Sequence, residues 1–294
     1  MTHRSGVVAV LGRPNVGKST LVNTLVGEKV AIVSDKPQTT RRGIRAIRTD
    51  VDAQIVFVDT PGFHKPRTLL GRRLNDLVHE VAGGGVDVVL LVVDAAAGVG
   101  RGDAFVVASQ VAPTGAPCIC AVNKVDRLGR DALVPQLAAA AELGPIDEIV
   151  PISAATGEGL EVLLRLLVER LPEGPQLYPE GEVTDQTPEE RIADVVREQA
   201  LARTREEVPH SVAVVVDEIE REGDLARVHA SIVVERDSQK GILIGAKGAT
   251  LKAIGTAARP EVERLLGSRV FLDLRVKVLK EWQQDPRSLE RLGF

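Results

Sequence analysis

Residues 12–19 read Gly12-Arg13-Pro14-Asn15-Val16-Gly17-Lys18-Ser19 and fit the pattern Gly-x-x-x-x-Gly-Lys-Ser/Thr. An apolar run at residues 7–11 precedes them, and a segment with helical periodicity, residues 19–26, follows. A strand, a glycine-rich loop and a helix in this order bind phosphate, because backbone N–H groups and the helix dipole face the anion. We expect Lys18 to bridge two phosphates and the Ser19 hydroxyl to ligate Mg²⁺. The nucleotide-binding residues predicted from this segment are Asn15, Val16, Gly17, Lys18, Ser19 and Thr20.

A second motif, Asn123-Lys124-Val125-Asp126, identifies the base. A carboxylate at position 126 can accept hydrogen bonds from a ring N–H and an exocyclic amine, a pair that guanine presents and adenine does not. Ser153-Ala154-Ala155 follows the last apolar run of this region, and we expect its N–H groups to contact the guanine carbonyl oxygen. The glycine loop alone would also fit a chance turn. Together the motifs predict that the chain binds GTP.

The segment Asp59-Thr60-Pro61-Gly62 has the residue types of a magnesium and γ-phosphate sensor. We expect Asp59 to hold the metal through water and the Gly62 N–H to contact the γ-phosphate. In the loop of residues 34–42, either Thr39 or Thr40 could complete the Mg²⁺ shell. Taken alone, residues 59–62 could also be an ordinary turn, and Thr39 and Thr40 could lie in a solvated loop without a role. The predicted metal ligands are Ser19, Thr40 and Asp59, and the predicted catalytic residues are Lys18, Thr40 and Gly62.

Phe63 follows this segment directly. GTPases of the Ras kind have a glutamine just after the Asp-x-x-Gly motif, and it orients the attacking water. A phenylalanine has no hydrogen-bonding group, so we expect a low intrinsic rate unless another group or an ion supplies the missing stabilisation.

Bulk properties agree with an enzyme of two domains. The chain has 294 residues, with 44% hydrophobic and 27% charged side chains, which is typical of a globular protein. The longest apolar run, residues 88–93, is too short to cross a membrane, and the first residues leave no room for a signal peptide. Cys118 and Cys120 are expected to be core residues, although the pair could also be half of a metal site. These features predict a reduced, cytoplasmic protein.

Short apolar strands alternate with helical patterns over the first part of the chain. This order predicts an α/β fold: a P-loop GTPase domain whose mostly parallel sheet is covered on both faces. We expect this domain at residues 1–172 and a proline-containing linker at 173–187. The predicted strands are residues 5–11, 43–49, 53–59, 86–94, 117–123 and 148–153, and the predicted helices are 18–26, 69–80, 102–111, 132–143 and 159–170.

The remaining residues, 188–294, have a different pattern. Thr187, Pro188 and Glu190 form the capping signals of a helix. Two strands, a short helix, a turn, a longer helix and a final strand follow, which is the order of an α+β type II KH domain. Pro260 is expected to kink or interrupt the longer helix. The predicted bounds are 212–219 and 226–235 for the two strands, about 244 for the end of the short helix, 249–266 for the longer helix and 270–278 for the last strand.

The turn Gly245-Ala246-Lys247-Gly248 matches the Gly-x-x-Gly loop with which KH domains clamp the backbone of single-stranded nucleic acid. A plain connection between helices is the alternative. The last sixty residues contain 12 basic and 8 acidic side chains, although the whole chain has a net charge of −4. The predicted RNA-binding residues are Lys240, Gly245, Ala246, Lys247, Gly248 and Lys252, and the predicted groove residues are Ile232, Ile242 and Ile244.

These motifs resemble those of the Era-like family, bacterial GTPases with one GTP-binding domain followed by one KH domain. In the first domain the resemblance rests on the glycine loop, on residues 37–41 and 59–64, and on residues 123–126. In the second it rests on Ser238-Gln239-Lys240-Gly241-Ile242 and the Gly-x-x-Gly loop, and it continues to Trp282. One departure is Ala246, because Era-like loops usually have a polar or basic residue there.

The resemblance implies a monomeric ribosome-assembly factor that binds the 3′ end of small-subunit ribosomal RNA through its KH domain and acts on the 30S subunit. It also implies some peripheral association with the inner face of the cell membrane. Several relatives with a hydrophobic residue in place of the catalytic glutamine use K⁺ near an asparagine like Asn15. The cofactors expected are therefore Mg²⁺ and K⁺.

Two other functions remain open at this point. One is an RNA chaperone whose first domain senses nucleotide with negligible turnover. The other is a membrane-surface GTPase, which would need a basic amphipathic helix, and residues 249–266 are only mildly of that kind.

Overall fold

The computed structural model describes residues 3–34, 40–41, 43–62, 68–83, 85–204 and 211–294. The chain divides into two compact units, and the main division falls between Asp185 and Gln186. Across the described residues, no helix is long and apolar enough to cross a membrane.

The first unit contains a mostly parallel sheet, as the alternating pattern predicts. Its strand order is β2-β3-β1-β4-β5-β6, and every neighbouring pair is parallel except β2 and β3. Only a few residues connect those two strands, which is enough for an antiparallel pair, whereas parallel neighbours need a crossover. The strands are β1 Arg4–Leu11, β2 Ile44–Thr49, β3 Ala53–Asp59, β4 Val88–Asp94, β5 Cys118–Asn123 and β6 Glu148–Pro151.

Helices cover both faces of this sheet. One buried cluster includes Leu21 and Leu163, and a second includes Val106 and Ala140 from the other helical layer. Cys118 and Cys120 are free thiols in the second cluster, and burial raises the pKa of Cys118 to about 12. The helices of this unit are α1 Lys18–Val26, α2 Leu69–Gly83, α3 Arg101–Val106, α4 Arg130–Ala141 and α5 Leu160–Arg170.

The helix predicted at residues 102–111 is not uniform. Its α-helical part, α3, ends at Val106, and a π-helical turn, Val107–Val111, and a 3-10 turn, Ala112–Thr114, continue it. Pro113 lies in the last of these turns and cannot donate a backbone hydrogen bond, so a regular helix cannot extend through it.

The segment after α5 is bonded to the first unit. The Gln54 side chain is fully buried, and its Oε1 accepts from the N–H groups of Leu177 and Tyr178 at 2.7 and 2.9 Å. The Ile47 N–H donates to the Val183 carbonyl at 2.8 Å, and the Thr184 hydroxyl donates to the Arg45 carbonyl at the same distance. Part of the segment predicted as a linker from its composition therefore lies along strands β2 and β3. The domain limits 1–172, 173–187 and 188–294 remain predictions.

The second unit has the order of elements predicted for a type II KH domain. Its sheet has the order β7-β8-β9, with β7 and β8 antiparallel and β8 and β9 parallel. Thr187 caps the first helix in a reciprocal capping box with Glu190, and Pro188 is the first helical residue. The elements are α6 Pro188–Ala202, β7 Ala213–Glu222, β8 Leu225–Val234, α7 Asp237–Ile244, α8 Ala249–Leu266, β9 Arg269–Val278 and α9 Pro286–Arg291.

Two features of this unit differ from the sequence prediction. Of the kink or interruption expected at Pro260, the interruption does not occur, since α8 runs without a break from Ala249 to Leu266, and the kink remains a prediction. The carbonyl that loses its donor belongs to Thr256, which is exposed to water, while Ile254 and Val262 anchor the helix in the core. The short helix α9 was not predicted, because six residues give too little periodicity.

Candidate nucleotide and RNA sites

The phosphate-binding loop lies between the end of β1 and the start of α1. Gly12 and Gly17 have φ of 149° and 100°, in the region that favours glycine. A Cβ atom on Gly17 would lie 2.5 Å from the Asn123 side-chain nitrogen, and one on Gly12 would lie 2.4 Å from the Val92 carbonyl oxygen. Glycine is therefore required at both positions by conformation and by space.

Lys18 is the buried cation of this loop. Its Nζ donates to the carbonyl oxygens of Gly12 and Arg13 at 3.0 and 3.1 Å. Burial lowers the pKa of Lys18 to about 8, and the nearby carboxylate of Asp59 offsets part of that effect. The charged form of a buried lysine is stabilised when an anion binds beside it. This environment therefore agrees with the predicted role of Lys18 beside the phosphates.

The three predicted metal residues meet at one point. The Ser19 hydroxyl donates to Oδ2 of Asp59 at 2.8 Å, the Thr40 hydroxyl donates to the same atom at 3.1 Å, and the two hydroxyl oxygens are 3.2 Å apart. Asp59 is fully buried, and among the described residues its Oδ1 has no hydrogen-bond partner. Burial raises the pKa of this carboxyl, while Lys18 and the two hydroxyls lower it.

These oxygen atoms fit Mg²⁺. Magnesium prefers oxygen ligands and is usually bound through one or two protein groups together with water and substrate phosphates. The part of the chain that the structure describes has no group of three or more His, Cys, Asp or Glu side chains placed to hold a metal ion. A site built from two hydroxyls and one carboxylate therefore needs the phosphates of the nucleotide to complete it.

Gly62 lies against the phosphate-binding loop. A Cβ atom at this position would be 2.9 Å from the Cα, N and Cγ atoms of Pro14. Thr60, two residues earlier, is buried and donates from its hydroxyl to the Val10 carbonyl at 2.8 Å. The sensor segment is thus fixed beside the loop, and glycine is required at its end. Thr39 and Phe63 lie outside the described residues.

Asn123 joins the phosphate-binding loop to the predicted guanine loops. Its side-chain NH₂ donates to the Val16 carbonyl at 2.9 Å, and its side-chain oxygen accepts from the N–H groups of Lys124 and Ala154 at 2.8 and 3.0 Å. The two oxygen bonds and the one N–H bond hold three chain segments together. These bonds hold Asn123 in place between the loops, and its contact with the nucleotide remains a prediction.

Lys124 and Asp126 follow the end of β5, and both are bonded to neighbouring loops of the predicted site. Lys124 has a φ of 68°, and its Nζ donates to the Asn15 carbonyl at 2.7 Å and to Oδ2 of Asp94 at 2.5 Å. The Ser153 hydroxyl donates to Oδ1 of Asp126 at 2.6 Å, which orients the exposed carboxylate.

The turn of residues 153–155 packs against α1. Thr24 donates from its hydroxyl both to the Ala154 carbonyl and to the Thr20 carbonyl, at 2.9 Å in each case. Ala155 lies in the same turn as Ala154. The structure therefore brings all the residues predicted to bind GTP to the carboxyl ends of the parallel strands, where ligands of such sheets bind.

Two acidic residues of this site were not predicted. Asp94 ends β4 and binds Lys124, and Asp103 in α3 accepts from Nε of Arg13 at 2.7 Å. Asp94 is the last residue of a predicted strand, at the sheet edge where ligands bind, and this position could have identified it as a site residue. Asp103 had a weaker signal: it is the third residue of α3, where an acidic side chain can accept from the N–H of the capping residue, as it does here from Gly100.

The Gly-x-x-Gly loop connects α7 and α8 in the second unit. Gly245, Lys247 and Gly248 all have positive φ, and a Cβ atom on Gly245 would lie 2.3 Å from the hydroxyl oxygen of Thr250. Ala246, Lys247 and Lys252 are exposed, whereas Lys240 is half-buried. The loop thus presents its backbone and Lys247 to solvent, with Lys252 one turn further along α8.

A groove of about 400 Å³ begins at this loop and runs between α8 and β9. Of the three groove residues predicted from the sequence, Ile232 is wrong because it is fully buried in the core of this unit, whereas Ile242 and Ile244 remain predictions. The inward-facing side chains of β8 pack against the helices in the core. The groove is therefore lined by residues of α8 and β9. The lining residues are Gly248, Leu251, Lys252, Gly255, Thr256, Arg259, Phe271, Leu272 and Leu274.

A phosphate loop, a hydroxyl–carboxylate metal site and a guanine-type motif on a mostly parallel sheet define a P-loop GTPase, here followed by a KH domain. The model of the 50S ribosome-binding GTPase family matches residues 7–124, and a KH-domain model matches residues 207–283.

Relatives and solved structures extend this similarity over the whole chain. The GTPase Era of Mycolicibacterium smegmatis is 53% identical, and the match covers 99% of both chains. The GTPase Era of Mycobacterium tuberculosis is 52% identical, with 99% of this chain and 98% of the relative covered. The chain belongs to the Era family of GTPases.

Two crystal structures of Era match the fold at 38% identity and cover 99% of each chain. One is Era in complex with MgGDPNP and nucleotides 1506–1542 of 16S ribosomal RNA, with a TM-score of 0.96. The other is a variant of Aquifex aeolicus Era bound to GDP.AlF4-, with a TM-score of 0.95.

Proposed function

We propose that this GTPase hydrolyses GTP as a switch coupled to RNA engagement: its KH domain binds the 3′ end of small-subunit ribosomal RNA, and the protein acts in assembly of the 30S subunit. The observation that carries the nucleotide half of the proposal is the meeting of Ser19, Thr40 and Asp59 beside Lys18. The RNA half is supported by the exposed Gly-x-x-Gly loop and by the solved Era structure that holds 16S ribosomal RNA.

The residues of the first unit divide the work on GTP. Backbone N–H groups of the loop and Lys18 bind the phosphates, and Asp126 selects guanine. Ser19, Thr40 and Asp59 would hold Mg²⁺, which when bound neutralises charge on the phosphate oxygens. The Gly62 N–H would contact the γ-phosphate, and the close approach of Gly62 to Pro14 of the phosphate-binding loop supports this role.

Potassium is part of the proposal because of Asn15 and Phe63. A phenylalanine after the Asp-x-x-Gly segment cannot orient water. Asn15 has a φ of 64°, and its carbonyl accepts from Lys124, so the backbone of this residue is held firmly within the loop. A K⁺ ion near Asn15 would add positive charge beside the phosphates.

The remaining parts of the proposal concern location and assembly. We infer a monomer in the cytoplasm that associates in part with the inner face of the cell membrane. An RNA chaperone with negligible turnover is the competing function.

Turnover measured in the presence of RNA separates the two functions. The experiment follows GTP hydrolysis by the protein alone, with an oligonucleotide of the 16S ribosomal RNA 3′ end, and with 30S subunits. Lys18→Ala serves as the inactive control. We expect multiple turnovers that change when RNA or subunits are added. Hydrolysis no faster than that of the Lys18→Ala variant under every condition would favour the chaperone.

A further inference from the structure

An aromatic side chain lies at the surface of the KH unit. Phe271 on β9 lines the groove and is 51% exposed. Leu251, Leu272 and Leu274, which are partly exposed, line the same groove. A contiguous apolar surface of this kind marks a binding site more often than a single exposed side chain does.

Arg227 holds the ring of Phe271. The two residues are opposite each other in the pairing of β8 with β9, and the guanidinium carbon lies 5.6 Å from the ring centre. Nε of Arg227 also donates to the Glu222 carboxylate at 3.1 Å. Because this carboxylate already balances the charge of Arg227, the arginine is better suited to fix the ring by a cation–π contact than to bind a phosphate.

The groove continues directly from the Gly-x-x-Gly loop. Gly248 ends that loop and is also the first groove residue, and Arg259 lies eleven residues further along α8. At 1.5 Å per residue, these two positions are separated by about 16 Å along the helix. Lys252 and Arg259, both exposed, place positive charge on the helix side. A nucleic-acid strand clamped at the loop would therefore pass these cations on α8 and reach Phe271 at the β9 edge of the groove, where the ring lies beside Arg227.

We propose that Phe271 is a stacking platform for one base of the bound RNA, with Arg227 as the residue that positions the ring. This subsite rests on the proposed RNA-binding function and adds a residue that recognises a base by its π-face. Stacking tolerates any base, so Phe271 adds affinity for unpaired RNA rather than selection of one nucleotide. Its contribution is independent of salt, whereas the contributions of Lys252 and Arg259 fall as salt increases.

The test uses the full chain and an oligonucleotide from the 3′ end of 16S ribosomal RNA, with 2-aminopurine substituted at successive adenines. Affinity is measured at two salt concentrations for the parent, Phe271→Ala, Phe271→Leu, Phe271→Tyr and Lys252→Ala. We expect Phe271→Ala to weaken binding about 5- to 100-fold, in line with the worth of base–aromatic stacking. Phe271→Leu should weaken it similarly and Phe271→Tyr should restore it, with the parent's salt dependence kept in all three.

Fluorescence supplies a second readout. One 2-aminopurine position should be quenched on binding to the parent and to Phe271→Tyr, and should remain bright with Phe271→Ala. Lys252→Ala should reduce the salt dependence and leave the quenching unchanged. A thermal unfolding profile equal to that of the parent confirms that the second unit of each variant is folded, and equal GTP turnover confirms this for the first unit. If the parent binds RNA and Phe271→Ala or Phe271→Leu binds equally well, the subsite is wrong while the RNA-binding function stands. If the parent does not bind the RNA, both are wrong.

Discussion

Arg13 and Asp103 join the phosphate-binding loop to the start of α3. Nε of Arg13 lies 2.7 Å from Oδ1 of Asp103, and its Nη2 donates to the Gly98 carbonyl at 3.1 Å. The second oxygen of the buried Asp103 accepts from the Gly100 N–H at 3.0 Å. Lys124 makes a further link, since it binds both the Asn15 carbonyl and Asp94. The loop is therefore held at Arg13 by the segment after β4 and at Asn15 by Lys124, which follows β5.

Replacing Asp103 with Asn should weaken GTP binding. The change leaves the Arg13 guanidinium without its carboxylate partner and loosens the loop that must present its N–H groups to phosphate. Breaking a buried pair costs about 3–5 kcal/mol. Arg13 is partly exposed, so we expect a smaller loss, about 1–2 kcal/mol of binding free energy or about 5- to 30-fold in Kd.

Calorimetric titration of GTP into the parent and the variant measures this loss. Asp185→Asn is the matched control, because Asp185 pairs with Arg45 at 2.9 Å on the surface of the same unit. An exposed pair of this kind contributes less than about 1 kcal/mol. Equal affinities for Asp103→Asn and the parent would show that the Arg13 contact does not shape the loop.

Asp59→Asn should reduce the response to magnesium. The buried carboxylate accepts from both Ser19 and Thr40, and removing its charge removes the group that fits Mg²⁺ there. Loss of an outer partner of a metal typically costs about 10- to 100-fold in affinity or activity. The measurement is GTP turnover as a function of Mg²⁺ concentration. Asp50→Asn, a change in the exposed β2–β3 connection, is the control. A parent-like Mg²⁺ dependence for Asp59→Asn would remove Asp59 from the metal site.

The affinity for GTP should fall as the pH rises above about 8. Lys18 has a pKa of about 8 in the nucleotide-free protein, below its usual 10.5, because of burial. Bound phosphates favour the charged form, so binding above that pH must take up a proton and weakens by up to about tenfold per pH unit. Without nucleotide the sign is opposite for stability, which rises between about pH 8 and 10.5 because the unfolded chain binds more protons in that window.

Titrations between pH 7 and 9 in two buffers with different ionisation enthalpies test this prediction. Proton uptake that grows with pH in the parent should be absent in Lys18→Arg, since a guanidinium remains charged throughout. Identical pH profiles for the parent and this variant would show that Lys18 is fully protonated in the free site.

Hydrolysis should be faster in potassium chloride than in sodium chloride. Phe63 supplies no group that orients water, and Asn15 is the predicted contact of the ion. Turnover is measured at matched ionic strength for the parent and Asn15→Ala. The variant should lose the difference between the two salts. Equal rates in both salts, together with a silent Asn15→Ala change, would contradict the ion mechanism for this chain.

Most of the nucleotide site could be predicted from the sequence because its residues are contiguous in motifs. The loop around Lys18 and the motif around Asp126 have fixed spacing, and the strand ends place them on one edge of the sheet. The Arg13–Asp103 contact joins residues 90 positions apart. No local pattern gives such a distance, and only the packing of α3 beside β1 produces it.

The KH groove was harder to predict for a related reason. Ile232, Ile242 and Ile244 are close to the Gly-x-x-Gly loop in sequence, but the direction of each side chain depends on which face of β8 and α7 the core covers. Phe271 lies 23 residues after the loop and reaches the groove only because β9 pairs in parallel with β8. Strand pairing of this kind is set by tertiary contacts rather than by periodicity.

The central claim, that a GTPase unit is followed by an RNA-binding KH unit, is tested most directly by titrating the 16S ribosomal RNA 3′-end oligonucleotide at two salt concentrations. The variant Ala246→Asp with Lys247→Asp puts two carboxylates on the exposed loop where the RNA backbone must pass. Arg287→Asp, in α9 of the same unit, is the control for added negative charge. We expect the loop variant to bind much more weakly with a shallower salt dependence. GTP turnover without RNA should remain at the level of the parent. RNA affinity equal to that of the parent would contradict the account, because the Gly-x-x-Gly segment would then be only a connection between two helices.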